Sequence, residues 1–215
     1  MIQKTRELVA RMAREMLSRK LTDGTSGNLS MIDPDMRLVA ITPSGIPYHN
    51  MTAEQIPVLN LSCEKVWGEY KPSSEYRMHI AAIKARSDIT TVLHTHSRYA
   101  IAVSCTQQSL PAITVDMAAY CGAEAPLVPY QAPGSNAIST AVADYLHRGY
   151  RALLLANHGT LCISQDPGTI IEAAEALELA AMAYIRGSII GTPKPIPESE
   201  VNKLLDLVYG EKRAV

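Results

Sequence analysis

Two histidines close the apolar run Val92-Leu93-His94-Thr95-His96, with a single threonine between them. On a strand the side-chain period is two, so Val92, His94 and His96 share one face and the two imidazoles reach toward one point. Such a pair chelates a metal, and it equally describes a strand end whose rings meet water. His158 ends a second apolar run, "RALLLANHG", and the glycine after it lets the chain turn away, so it reads as the end of a buried strand. Three histidines from two strand ends would make a neutral site suited to Zn2+, leaving one coordination position for a substrate. A buried, hydrogen-bonded histidine explains His158 alone equally well. Glu75 follows Pro72-Ser73-Ser74 at a helix start, where backbone N–H groups and the helix dipole favour a carboxylate, which makes it the candidate acid/base. The alternative is an ordinary capping carboxylate. His79, one helical turn on, is a reserve ligand or a support to one. His49 and His147 have polar neighbours and read as surface residues.

Three loops share small residues and hydroxyls: "GTSGN" at 24–28, "TPSG" at 42–45 and "PSS" at 72–74. Each alone is a turn or a cap. Together they can surround a phosphate with backbone N–H groups and hydroxyls, because glycine permits close approach and Ser74 begins a helix. None has P-loop spacing, and none contains a lysine, which argues against nucleotide triphosphates and fits one terminal phosphate on a small substrate. Schiff-base chemistry needs a desolvated lysine. Lys65, Lys71, Lys84 and Lys194 all have polar or proline neighbours, so carbanion stabilisation falls to a metal.

These residues need positioning elements. Val9, Met12 and Met16 give an amphipathic helix that ends near Leu21. "NLSMID" and "MRLVAIT" read as a hairpin across Asp33-Pro34-Asp35. Thr52 and Gln55 have capping-box spacing, and Ser73 or Ser74 caps a helix through "EYRMHIAAIKAR" with Glu75 in its first turn. A helix starts at Ser97, "PAITVD" is strand-like, and Ser135 or Asn136 caps "AISTAVADYLH". A strand, "TLCIS", follows His158. A long Ala/Glu-rich helix covers residues 169–186, and "ESEVNKLLDLVY" forms a last helix that the proline-rich stretch 192–198 sets off as a mobile segment.

The 215 residues suit one domain, residues 1–215, and 47% hydrophobic content supplies one core. A net charge of -1 without a basic run argues against nucleic acid or a membrane surface as partner. No apolar run reaches the ~18 residues of a membrane span, and the mixed N-terminal sequence does not read as a leader. Cys63, Cys105, Cys121 and Cys162 are far apart, so free thiols in the cytoplasm are expected.

The ordered set "GTSGNLS", "TPSGIPY", "KPSSEYRMH", "VLHTHS" and "LLANHG" resembles the class II aldolase/adducin-head family over nearly the whole chain. The resemblance implies a three-layer α/β/α fold with a mostly antiparallel central sheet, and a homotetramer with sites at subunit interfaces. It implies reversible cleavage of a ketose 1-phosphate, with L-fuculose 1-phosphate leading, into dihydroxyacetone phosphate and a short aldehyde. Carried over by position, His94, His96 and His158 match the ligands of one Zn2+ per chain, with Mn2+ or Co2+ as substitutes. Glu75 matches the acid/base. Ser26, Gly27, Asn28, Ser44, Gly45, Ser73 and Ser74 fall in the phosphate loops, and Tyr209 matches a tyrosine on a flexible tail. One position departs: Val115 stands where the aldolases have a catalytic tyrosine, and neither Asp116 nor Tyr120 is assigned its job. Relatives with the same ligands implicate a pentulose-phosphate 4-epimerase, a dehydratase or a decarboxylase. A non-catalytic adducin-like module would have lost the ligands.

Overall fold

In the computed structural model, residues 2–210 are described. Helix α1 (Ile2–Ser18) buries Val9, Met12, Ala13 and Met16 along one stripe. The Asp33 side chain then builds the first turn, accepting from the backbone N–H groups of Asp35 (3.2 Å) and Met36 (3.1 Å). That turn joins β1 (Asn28–Asp33) to β2 (Leu38–Ile41) with Ser30 opposite Ile41, as the hairpin expectation required. A short 3-10 turn follows, in which the Gln55 side chain accepts from Thr52 N–H (3.0 Å). Strands β3 (Val58–Leu59) and β4 (Lys65–Trp67) finish this half of the sheet. Helix α2 (Tyr76–Ala85) leads to β5 (Thr91–Thr95), and Ser97 is the N-cap of α3 (Arg98–Cys105).

Strand character in "PAITVD" is limited to β6 (Leu110–Pro111). The β-branched run Ile113-Thr114-Val115 is overridden by a cap: Thr114 Oγ1 accepts from Met117 N–H (3.4 Å) and starts α4 (Val115–Cys121). Strands β7 (Glu124–Ala125) and β8 (Leu127–Val128) follow, then α5 (Asn136–His147), capped by Ser135 Oγ accepting from Ile138 N–H. Strands β9 (Ala152–Leu155) and β10 (Gly159–Ser164) precede α6 (Ile170–Ile190) and α7 (Glu198–Tyr209).

Eight strands form one sheet in the order β4-β3-β2-β1-β5-β10-β9-β8, antiparallel except for the β8/β9 pair, and β6 pairs separately with β7. Alternation sorts the side chains to two faces. Leu29, Met31, Leu93, Leu154 and Cys162 pack under α1, α3, α4 and α6. Val92, Leu153, Leu155, Leu161 and Ile163 pack under α2 and α5. Leu93 and Val92, both fully buried, each contribute about 1.5–3 kcal/mol of transfer free energy. The result is the three-layer α/β/α fold with a mostly antiparallel sheet. The last helix is not set apart: α7 packs on α4, burying Val201 and Tyr209.

Candidate metal centre

Strand β5 lies between β1 and β10, with His94 opposite Asn28 on one side and Leu161 on the other. This register aims His94, and His96 just beyond the strand, at the α2 face. His158 is not at a strand end. It closes a tight turn, donating its N–H to Leu155 O (3.0 Å) after Asn157 adopts a φ of 57°, and Gly159 opens β10. Gly159 is needed for its missing side chain, since a Cβ there would sit 2.3 Å from Thr95 O and 3.0 Å from His94 Cε1. Glu75 is one step earlier than expected, at the N-cap of α2 itself, with its N–H directed to Ser73 Oγ (3.3 Å).

These elements bring Glu75, His94, His96 and His158 together, with one ligand-capable atom from each within 4.8 Å of all the others. His94 Nε2 lies 3.0 Å from His96 Nε2 and 3.2 Å from Glu75 Oε2, and His158 Nε2 lies 3.4 Å from Glu75 Oε1. His94 and Glu75 are buried, while His96 and His158 are half-buried. His94 Nδ1 lies 2.7 Å from Thr160 O, a carbonyl that can only accept, so this nitrogen carries the proton. Nε2 of His94 then faces an imidazole nitrogen and a carboxylate oxygen, an arrangement satisfied by a proton on Nε2 or by a metal ion between the three atoms.

Burial drives the His96 and His158 rings down to about 4, with neighbouring imidazole charge acting the same way. Both are therefore neutral ligands near pH 7. Burial alone would raise the Glu75 carboxyl. With a proton on His94 Nε2, the hydrogen bond and charge of that ring, then Asn28 and His158, override it and hold Glu75 well below the usual carboxylate range. Glu75 Oε1 and His158 Nδ1 are buried with no hydrogen-bond partner. Three imidazoles, a carboxylate and an unpartnered buried oxygen fit a divalent cation of borderline softness.

His79 is not among these atoms. It is fully buried on α2, with Nδ1 2.8 Å from Ser30 Oγ and Nε2 bonded to Asn28 Oδ1. Asn28 Nδ2 donates to Glu75 Oε2 (2.9 Å). Sequence reading missed Ser30 and the side-chain use of Asn28. The available signal was two polar residues, Asn28 and Ser30, at alternate positions of an otherwise apolar strand.

The hydroxyl-rich loops meet beside Glu75. Ser44 N–H donates to Lys71 O (2.9 Å), Ser73 N–H to Thr42 O (3.0 Å), and Leu29 N–H to Thr42 Oγ1 (3.2 Å). Ser44, Gly45 and Ser74 are exposed, Ser26 is half-buried, and Gly27, Asn28 and Ser73 are buried. Gly27 is held by Tyr48, whose hydroxyl donates to its carbonyl. Tyr209 is not brought to the cluster. Its hydroxyl donates to Tyr120 O (3.0 Å), its carbonyl accepts from Gln165 Nε2 (3.1 Å), and its ring stacks on Arg151 at the opposite end of β9. Val115, 59% exposed, begins α4 on the other side of the sheet, where Asp116 and Tyr120 line a separate groove of about 690 Å³. His49, His147 and the four lysines considered above are exposed, and the four cysteines are free thiols. No helix among the described residues is long and apolar enough to cross a membrane.

Residues 7–185 match the family described as Class II Aldolase and Adducin N-terminal domain. A 5-deoxy-D-ribulose 1-phosphate aldolase of Bacillus thuringiensis serovar kurstaki is 36% identical over 204 residues, 95% of each chain. The L-fuculose phosphate aldolase of Escherichia coli K12 is 34% identical over 186 residues, 86% of this chain and 85% of the relative. A solved L-fuculose 1-phosphate aldolase superposes with a TM-score of 0.89 at 30% identity, covering 95% of both chains.

Proposed function

Since the chain belongs to the class II aldolase and adducin N-terminal domain family, whose aldolases are metal-dependent aldehyde-lyases, we propose that it is a Zn2+ enzyme cleaving a ketose 1-phosphate reversibly. The products are dihydroxyacetone phosphate and a short aldehyde. The observation that carries this reading is the convergence of His96 Nε2 and Glu75 Oε2, 3.0 and 3.2 Å from His94 Nε2, with His158 Nε2 3.4 Å from Glu75 Oε1, an oxygen that accepts no hydrogen bond. His94, His96 and His158 would hold the ion. A Zn2+ bound there supplies Lewis-acid polarisation of the ketone oxygen. Glu75 exchanges the proton on C3 of the dihydroxyacetone phosphate unit. The loops around Ser26-Gly27-Asn28, Ser44-Gly45 and Ser73-Ser74 fix the phosphate and with it the distance from C3 to Glu75.

Two substrates compete, and both give dihydroxyacetone phosphate. 5-Deoxyribulose 1-phosphate releases acetaldehyde, and L-fuculose 1-phosphate releases lactaldehyde. The relative with the higher identity and coverage supports the first, in place of the fuculose ester that led on sequence alone. Exposed Val115, Leu179, Ile189 and Ile190 support assembly into a homotetramer, and the free thiols support a cytoplasmic location. The test is a dihydroxyacetone phosphate-coupled assay across ketose 1-phosphates with metal analysis. We expect about one Zn2+ per chain. Cleavage should disappear on chelation and return with Zn2+. Chelator-resistant cleavage, or efficient epimerisation of a pentulose 5-phosphate without proton exchange into dihydroxyacetone phosphate, refutes the aldolase reading.

A further inference from the structure

From the buried contacts beyond the metal cluster, we propose that His79, Asn28 and Ser30 form a relay of fixed polarity that assigns the proton-carrying role to Glu75 Oε1. It rests on the aldolase reading for what Glu75 does, and on geometry alone for how Glu75 is held. The polarity follows from the carboxylate end. An ionised Glu75 only accepts, so the Asn28 group 2.9 Å from Oε2 must be its NH2. The amide oxygen of Asn28 therefore faces His79, and His79 Nε2 must donate to it. In a neutral ring this leaves Nδ1 as acceptor, so the Ser30 hydroxyl, 2.8 Å away, must donate. Burial drives the His79 ring down to about 3, which keeps it neutral and the chain of donors unambiguous.

The consequence falls on the two carboxylate oxygens. Oε2 accepts from Asn28 and lies 3.2 Å from His94 Nε2, whereas Oε1 accepts no hydrogen bond and has His158 Nε2 at 3.4 Å. A ring flip at His79 or an amide flip at Asn28 would set oxygen against oxygen or N–H against N–H, so each member locks the next. Asn28 and His79 are thus positioning residues: they touch neither ligand nitrogen and act through Glu75. This also separates Asn28 from its neighbours Ser26 and Gly27, since both ends of its amide are already engaged and only its backbone is left for a phosphate.

The experiment uses zinc-loaded protein with His79→Leu, His79→Gln and Ser30→Ala. It measures bound zinc, the KM for dihydroxyacetone phosphate, and the kcat of solvent-proton exchange at its C3. His79→Leu should slow exchange by about tenfold or more, with zinc content and KM within about twofold of the unsubstituted protein. Glutamine carries an amide N–H near the position of the imidazole Nε2, so His79→Gln should restore most of the rate. Ser30→Ala, the milder change, should slow exchange a few-fold and serves if His79→Leu fails to fold. Zinc lost in step with rate, or no rescue by glutamine, overturns the relay. If the unsubstituted protein shows no exchange, the aldolase reading fails, and nitrogen NMR of His79 decides the relay separately. An Nε2–H tautomer supports it, and an Nδ1–H tautomer overturns it.

Discussion

Replacing Gly159 by alanine tests whether the close approach of β10 to β5 sets the metal centre. The added Cβ would lie 2.3 Å from the Thr95 carbonyl oxygen, about 1 Å inside a relaxed contact of ~3.5 Å. It would also lie 3.0 Å from His94 Cε1 and 3.3 Å from His96 Cδ2, so the ligand on β5 and the one just beyond it are pressed at once. The obstacle is backbone and cannot rotate aside. The turn carrying His158 must therefore retreat by roughly 1 Å from the strand carrying His94 and His96. Overpacking of this size costs about 1–3 kcal/mol of stability. A 1 Å displacement of reacting groups costs about 10²-fold in rate. Urea unfolding of the metal-free protein reads the first quantity. Zinc affinity and proton exchange into dihydroxyacetone phosphate read the second. Gly191→Ala is the control, because that glycine has extended backbone at φ 175° and open space around its Cα. Metal-free stability within about 0.5 kcal/mol of the parent, together with unchanged zinc affinity, would refute the reasoning.

His96→Ala should lose most bound zinc at equal total metal, measured by equilibrium dialysis, because only two of the three imidazole ligands remain. Glu75→Gln should keep the metal but slow proton exchange by ~10²-fold or more. In metal-free protein His79, His96 and His158 titrate near 3, 4 and 4 against 6.5 for a free imidazole. Their contribution to stability is thus complete above pH 6.5 and lost as pH falls toward 4, so the urea midpoint should drop between pH 7.5 and pH 5. Tyr209→Phe removes a hydrogen bond to the Tyr120 carbonyl and should cost about 1 kcal/mol in the same assay.

Local chemistry was legible in the sequence where a feature closes on itself within a few residues. The Asp33 turn, the Ser135 cap and the two-residue spacing of His94 and His96 are of this kind. The α/β/α layering followed from five ordered motifs rather than from periodicity. What failed depended on competition or distance. The run Ile113-Thr114-Val115 has strand propensity, but the Thr114 hydroxyl won it for a helix. His158 looked like a strand end because the tight turn at Asn157 cannot be told from one more extended residue. The relay was hidden because Asn28 and Ser30 meet His79 only after β1 has paired with β5, a register that joins Asn28 to His94, 66 positions further along the chain. Within the chain Tyr209 packs on Arg151 and accepts from Gln165, contacts that no linear pattern reveals.

The central place of β5 has a consequence for synthesis on the ribosome. Its partner β1 precedes it, whereas its other partner, β10, begins at Gly159 and is made much later. In the interval the growing chain holds a sheet that stops at β5, with one row of N–H and C=O groups unpaired along Thr91–Thr95. His158 is also missing during that time, so the nascent chain cannot complete its three-imidazole set. A neighbouring nascent chain offers an identical β10 to the open edge, which makes exchange of β10 between copies the characteristic misassembly of this topology.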